Sequence, residues 1–275
     1  MRSSGVMPMT DALRSLSVFA DDREIAVDRR IRLRGKSTMT CLPDPWTVDV
    51  YGLSDEDAAF LRRCAIVRVL GAGDSLLCSG APADILDLHA QGRDVTQILI
   101  LEGEALWRST VSLSLAAGTG VEQTIRALLA RCSSPAPLAA CPQLTAVLPR
   151  GQAFFGRTVD ALNELARAAD SRGWVWHDAF WLTRIGEGVP RATIREEDIL
   201  REPETMTGAL ICATRMVGLQ TGQLVRLQTD THSGVFRLAA QTIDADSHSG
   251  AWDCTLTLMD ETEAGLGLEA WEGIM

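Results

Sequence analysis

From residue 234 to residue 260 the chain reads GVFRLAAQTIDADSHSGAWDCTLTLMD, two long runs of alternating apolar and polar side chains around a short polar segment. A period of two lets a strand bury one face, and two such runs joined through Ser and Gly predict an antiparallel hairpin. The same order occurs earlier in the chain. AIVRVLGAGDSLLCSGAPADILDLHAQGRDVTQILILEG (65–103) lies without a gap on QLVRLQTDTHSGVFRLAAQTIDADSHSGAWDCTLTLMDE (223–261), as strand, turn, long strand, Gly turn, strand. Val67 falls on Val225, Arg68 on Arg226, Leu77 on Val235, Ala81 on Ala239, Ile85 on Ile243, and Ile98 and Ile100 on Leu256 and Leu258. Few of the matched residues are identical, so the order of elements carries the repeat. It predicts one small antiparallel barrel or curled sheet, present twice.

Between the copies the period changes. TGVEQTIRALLARC offers Thr119 and Glu122 as a capping box, then Val121, Ile125, Leu128, Leu129 and Cys132 on one helical face. TVDALNELARAADSRG places Val159, Leu162, Leu165, Ala166 and Ala169 on a second stripe, with Gly173 as its stop. Charge at Leu162 or Leu165 is therefore expected to be severely destabilising, and Asn163→Asp to be tolerated. WVWHDAFWLTRI reads as two short strands turning near Asp178 and Ala179, and the proline-rich SSPAPLAACPQL as a loop. Before this section, SDEDAAFLRRC is one short helix capped by Ser54 within a strand-rich unit. The predicted class is α+β, mostly β: two tube-like antiparallel β-barrel domains (25–108 and 189–262) flanking an α+β insert domain (109–188). An N-terminal segment (1–24) and an acidic C-terminal tail (263–275) complete the plan.

Composition narrows the function. A net charge of −10 argues against a broad phosphate-binding surface, because nucleic-acid affinity rests on Lys and Arg displacing counterions. The seven cysteines, Cys41, Cys64, Cys78, Cys132, Cys141, Cys212 and Cys254, form no C-x-x-C pair and sit mostly in apolar runs, as core thiols of a protein made in the cytoplasm do. The N-terminus lacks the apolar stretch of a signal peptide, and no run has the length to cross a bilayer.

The densest group of ionisable residues is DADSH, with Asp244, Asp246 and His248. It occupies the place that LDLHAQGRD, with His89, holds in the first copy, so it reads as a solvated hairpin tip rather than a metal site. Its replacement by Ala is expected to change stability little. His177 beside Asp178 reads as an ordinary turn or core histidine, Glu164 as a solvated helix face, and Trp174, Trp176 and Trp181 as packing residues. Gly71-Ala72-Gly73 leads from strand to strand and so fails as a phosphate loop. No catalytic residue, metal ligand or cofactor site is assigned.

The segment PWTVDVYGLSDEDAAFLRRCAIVRVLGAG resembles a strand, short helix, strand and glycine turn of the baseplate hub proteins of contractile phage tails. The resemblance continues through SLLCSGAPADI and STVSLSLAAGTGVEQTIRALL to the closing TGQLVRLQTDTHSGVFRLAAQTIDADSHSGAWDCTLTLMD, covering about residues 25–262. Gly52 stands where the family usually has Asn. The resemblance implies a non-enzymatic homotrimer, a ring in the virion baseplate that joins the six-fold tail tube, or its initiator protein, to the three-fold central spike. It also implies tape measure and wedge proteins as neighbours, and DNA only in transit through the lumen. The competing classes are a cell-wall-directed hydrolase and a carbohydrate-binding β module.

Overall fold

The computed structural model describes residues 14–260 except 91–92, 133–135, 141–143, 185, 207 and 249, which leaves Cys141 and the C-terminal tail outside the described residues. The first β section holds β1 (Ser17–Ala20), β2 (Arg23–Ile25), β3 (Ile31–Thr38), β4 (Asp44–Tyr51), α1 (Asp55–Leu61), β5 (Val67–Leu70), β6 (Leu76–Gly80), β7 (Pro82–Ala90) and β8 (Arg93–Glu102). The middle section follows with α2 (Glu104–Arg108), β9 (Thr110–Leu115), α3 (Val121–Ala130), β10 (Leu138–Ala140), β11 (Gln152–Arg157), α4 (Thr158–Ala168), β12 (Ser171–Trp176) and β13 (Ala179–Arg184). The last section is β14 (Ala192–Arg195), β15 (Ile199–Met206), β16 (Ala209–Thr214), β17 (Leu224–Gln228), β18 (Ser233–Asp246) and β19 (Trp252–Asp260). The chain is mostly β, with antiparallel sheets and few helices, as expected. The strands β1, β9, β10, β11, β14 and β15 and the short α2 had no counterpart in the sequence reading, and β10 corrects the expectation that SSPAPLAACPQL is all loop, since Leu138 and Ala140 pair with β13.

One sheet crosses both β sections in the order β15-β16-β19-β18-β3-β4-β8-β7, with β17 on β18 and β14 on β17. Its core face carries Leu33, Trp46, Val48, Ile98, Ile100, Leu238, Ile243, Leu256 and Leu258, all buried in one apolar cluster shared by the two sections. The join is the antiparallel ladder β3·β18, running from Ala240 opposite Thr38 to Asp246 opposite Arg32.

The repeat predicted from sequence is present in the hydrogen-bonded ladders, with one correction. Val67 stands opposite Gly80 as Val225 stands opposite Phe236. Ile98 stands opposite Ile85 as Leu256 stands opposite Gln241, not Ile243. The central strand of the second copy is thus two residues earlier than the gapless alignment places it, and the shift is taken up in the turns on either side. A two-residue shift leaves every side chain on its original face, which is why the apolar pattern could not reveal it. An irregularity between Pro82 and Asp84 recurs between Leu238 and Ala240, at the same point of the ladder. On the far side of β8 and β19, Trp46 opposite Ile100 matches Leu210 opposite Leu258. Each copy is therefore a five-strand unit, β3-β4-β5-β6/β7-β8 and β15-β16-β17-β18-β19. The copies differ outside this frame: β5 pairs with β1 antiparallel, whereas β17 pairs with β14 in parallel.

The middle section has its own core. Helix α4 buries Val159, Leu162, Leu165 and Ala166, and α3 buries Val121, Ile125, Leu128 and Leu129, in one cluster with Val111, Phe154, Val175 and Phe180. Both stripes are as predicted, but their ends differ. The N-cap of α3 is Gly120 without a side-chain cap; Thr119 Oγ1 donates to the Ala116 carbonyl, and Glu122 pairs with Arg126. Gly173 does not stop α4, which ends at Ala168. It lies in β12, where a Cβ would come within 2.4 Å of Phe180 Cζ, so ring packing requires the glycine. The Ser54 cap is present, its hydroxyl accepting from the Asp57 N–H at 3.1 Å.

Candidate assembly interface

The DADSH segment divides into two parts. β18 ends at Asp246 and β19 begins at Trp252, and between them His248 is exposed. Asp244 and Asp246 belong to β18 and face Arg side chains of the other unit. The Arg32 guanidinium donates to Asp244 from Nε (2.9 Å) and Nη2 (2.8 Å), and that of Arg30 donates to Asp246 from Nε (3.1 Å) and Nη2 (2.6 Å). Arg30 also lies over the Tyr51 ring at 4.6 Å. The Ser247 hydroxyl accepts from the Ile31 N–H at 3.0 Å, closing the latch. The expectation of a solvated tip is thus corrected for Asp246, which is 2% exposed. The sequence did carry a signal: Arg30, Arg32 and Arg34 alternate in RRIRLRGK as Asp244 and Asp246 do, and strands of opposite charge at period two can pair face to face.

Asp246→Ala is expected to lower stability by about 1 to 3 kcal/mol, less than for a fully buried pair because Arg30 can turn towards water. Asp244→Ala, whose pair is about a third exposed, is expected to cost under about 1 kcal/mol. Denaturant unfolding of the two single variants checks this, and equal tolerance of both would restore the solvated-tip reading.

Beyond this latch the open face of the sheet is polar over β3, β4, β18 and β19 and carries apolar side chains on the outer strands, Leu86 opposite Gln97, Leu99 opposite Thr47 and Ile211 opposite Thr257. Thr47 and Asp49 of β4, Gln97 of β8, Thr242 of β18, and Thr255 and Thr257 of β19 alternate with the buried residues. Arg34 pairs with Asp49 at 2.7 Å, and Gln97 donates to the other Asp49 oxygen at 2.8 Å. The sheet ends in two strands, β7 and β15, each paired on one side only among the described residues.

Beneath the middle section lie three carboxylates, of which the sequence had pointed only to Asp178, beside His177. Glu102 accepts from Trp46 Nε1 at 3.0 Å and from the His177 N–H. Asp178 accepts from the Gly103 N–H and the Ser79 hydroxyl, both at 3.4 Å, and Asp44 from Thr38 N–H (2.7 Å) and Oγ1 (2.9 Å). Burial pushes Glu102 up to about 8 and Asp44 up to about 7, raises Asp178, and lowers His177 to about 4. His177 and Asp178 form a two-residue hairpin turn with φ of 50° and 56°, the left-handed pair that a tight β12–β13 connection requires. No sequence pattern marks this cluster, because its members meet only once the insert is folded onto the first unit.

The remaining candidates are structural in their surroundings. Trp174, Met39, Ala239 and Met259 form a small cluster that joins the insert to the sheet, with Trp176 and Trp181 packed against it. Gly222, at φ +86°, is required there, since a Cβ would lie 2.2 Å from Trp174 Cζ2. Burial pushes the Cys41 and Cys254 thiols to about 12 and that of Cys212 to about 11. Glu164 is exposed and accepts from Gln152 at 2.9 Å, while Asn163 is half-buried and accepts from the Cys41 thiol at 3.4 Å. A cleft of about 670 Å³ between the insert and the first unit contains Asp44 and Asp160. Asp160 is paired with Arg157, and Asp44 is held by Thr38. Among the described residues no three His, Cys, Asp or Glu side chains are grouped to hold a metal ion, and no helix is long and apolar enough to cross a membrane.

No protein-family model and no curated protein sequence matches the chain. Solved structures do. A tail protein from Neisseria meningitidis MC58 superposes with a TM-score of 0.64 at 14% identity over 90% of this chain and 96% of that one. The 43 kDa tail protein of prophage MuSo2 from Shewanella oneidensis gives 0.66 at 7% identity over 90% and 97%. An E. coli component of the type VI secretion system, itself described as structurally similar to the T4 phage tail proteins gp27 and gp5, gives 0.59 at 12% identity over 89% and 76%. At such identities the likeness is one of architecture alone, and this chain shares its fold with these two tail proteins and the type VI component.

Proposed function

We propose that three copies of this chain close into a ring that joins a six-fold tail tube to a three-fold central spike, in the baseplate of a contractile phage tail or a related injection machine. The observation that carries this reading is the duplicated unit joined side by side through the β3·β18 ladder. One chain presents two equivalent units, so three chains present six to the tube while keeping three-fold symmetry towards the spike. The partners are a second and third copy, the tube or its initiator, the spike, and the tape measure and wedge proteins around them. The role is structural: the chain holds parts together and performs no chemistry.

The open face of the sheet, polar over β3, β4, β18 and β19, fits the lining of such a ring. Its arginines are held by carboxylates on neighbouring strands, Arg32 by Asp244 and Arg34 by Asp49, and threonines fill the rows between. DNA in transit needs a wall that does not retain it, and cations already paired release few counterions to phosphate. The likeness to tail proteins and the type VI component supports the same reading. Coexpression with tail tube and spike proteins, followed by native mass measurement and negative-stain imaging, tests the proposal. Three chains per ring are expected. Six chains per ring, or a monomer that binds glycan in place of tail proteins, would overturn it.

A further inference from the structure

The duplication also defines a joint that the single chain leaves open. Within one chain, the second unit offers β18 to β3 of the first unit. By the ladder equivalences, β7 is the first unit's counterpart of β18, and β15 is the second unit's counterpart of β3. These are the two strands that end the sheet. We propose that β7 of one copy pairs antiparallel with β15 of the next, repeating the β3·β18 joint between chains. The proposal rests on the ring reading above and names the surface that closes it.

The register follows from the ladders. Gly35 stands opposite Trp46, and Thr205 stands opposite Leu210, the counterpart of Trp46. Thr205 therefore occupies the place of Gly35, Glu204 that of Arg34 and Met206 that of Lys36. On the other strand, Leu86, Asp87 and Leu88 occupy the places of Thr242, Ile243 and Asp244. In the internal joint Thr242 stands opposite Lys36, Ile243 opposite Gly35, and Asp244 opposite Arg34. Between copies this sets Leu86 opposite Met206, Asp87 opposite Thr205, and Leu88 opposite Glu204.

The side chains support that register independently. Leu86, Leu88 and Met206 are 44%, 42% and 55% exposed, unusual for large apolar residues on a sheet edge, and the register brings Leu86 against Met206. Apolar cross-strand pairs stabilise a ladder, whereas like charges directly opposite weaken it. A slip of one residue would set Asp87 against Glu204, two carboxylates face to face. The acidic residues and Pro203 of β15, and Pro82 at the start of β7, restrain both edges from pairing with unrelated strands. At the internal joint the strands are held by the ion pairs of Asp244 and Asp246; between chains Leu86 and Met206, in the places of Thr242 and Lys36, form an apolar pair, which suits a contact made from exposed surfaces during assembly.

The test is a disulfide at the predicted contact. Leu86→Cys and Met206→Cys are made singly and together, in a Cys141→Ser background, and unfolding midpoints are compared first, since both sites are exposed and should tolerate the change. Under mild oxidation, alone at high concentration and during coexpression with the tube and spike proteins, the double variant is expected to give a covalent species of three chains, and the single variants only monomer. A control pair one residue out of register, Asp87→Cys with Met206→Cys, is expected to cross-link at least ten-fold less. A trimer by native mass without the Leu86–Met206 cross-link overturns the joint and leaves the ring reading intact. Cross-linked chains that grow past three support the joint and overturn closure at three. A chain that stays monomeric beside its neighbours, without cross-linking, overturns both.

Discussion

Leu162→Asp is expected to unfold the middle section of this protein. Leu162 is fully buried in the cluster that α4 shares with α3, β9, β11, β12 and β13. Shortening a buried Leu costs about 2 to 5 kcal/mol, and an unpaired carboxylate in the same place costs several more. The sum is comparable with the entire stability of a domain of this size, about 5 to 15 kcal/mol. The core of the insert is distinct from that of the sheet, and the two β units are tied to each other through β3·β18 rather than through the insert. Limited proteolysis is therefore expected to cut between residues 109 and 188 and to leave two fragments that migrate together. Glu164→Ala, on the exposed side of the same helix, is expected to shift the midpoint by under about 0.5 kcal/mol. Asn163→Asp keeps an acceptor for the Cys41 thiol and should fall close to Glu164→Ala. Wild-type protease resistance in Leu162→Asp would mean that α4 is not docked.

The same residues show why parts of this fold were legible in sequence and parts were not. The stripes of α3 and α4 are readable because each helix buries one face, and burial is what imposes a period. The strands β17, β18 and β19 were readable for the same reason. The strand β15, ILREPETM, was not: as a sheet edge it buries only Pro203, its ladder to β16 is irregular at two points, and no alternation marks it. The strand β1 was missed because its four residues stand outside the repeat that marked β5, a strand of the same length. DADSH was legible as a strand end followed by a turn, while the depth of Asp246 depended on Arg30, more than two hundred residues away in the chain. Of the two edge strands, β7 was read as part of the repeat and β15 was not, since an edge with almost no buried face within its own chain carries no alternation.

The second large effect is expected with pH and centres on Glu102. Burial raises its folded pKa to about 8 from an ordinary 4.5, so the folded state holds a proton that the unfolded state has released over that range. The stability this contributes is complete below the unfolded value and is lost as pH rises through the folded one. Asp44 acts in the same sense from 3.8 to about 7. His177, lowered from 6.5 to about 4, acts oppositely: its contribution is lost as pH falls through that window. Above pH 6.5 the carboxyls act without that opposition, and the midpoint is expected to fall by on the order of 10 °C between pH 6.5 and 9, at about 1.4 kcal/mol per pKa unit. Glu102→Gln removes the largest share of this slope. It also lowers the midpoint somewhat at pH 6, since one of the N–H groups of Trp46 and His177 loses its acceptor. The two effects separate by sign: the variant is less stable than wild type at pH 6 and more stable at pH 9. Trp176, stacked on His177 at 3.7 Å, reports the same event by fluorescence, because Glu102 belongs to the first β unit and His177 to the insert. If the variant keeps the wild-type slope, the proton resides elsewhere, and the joint between insert and sheet is not where alkaline pH acts.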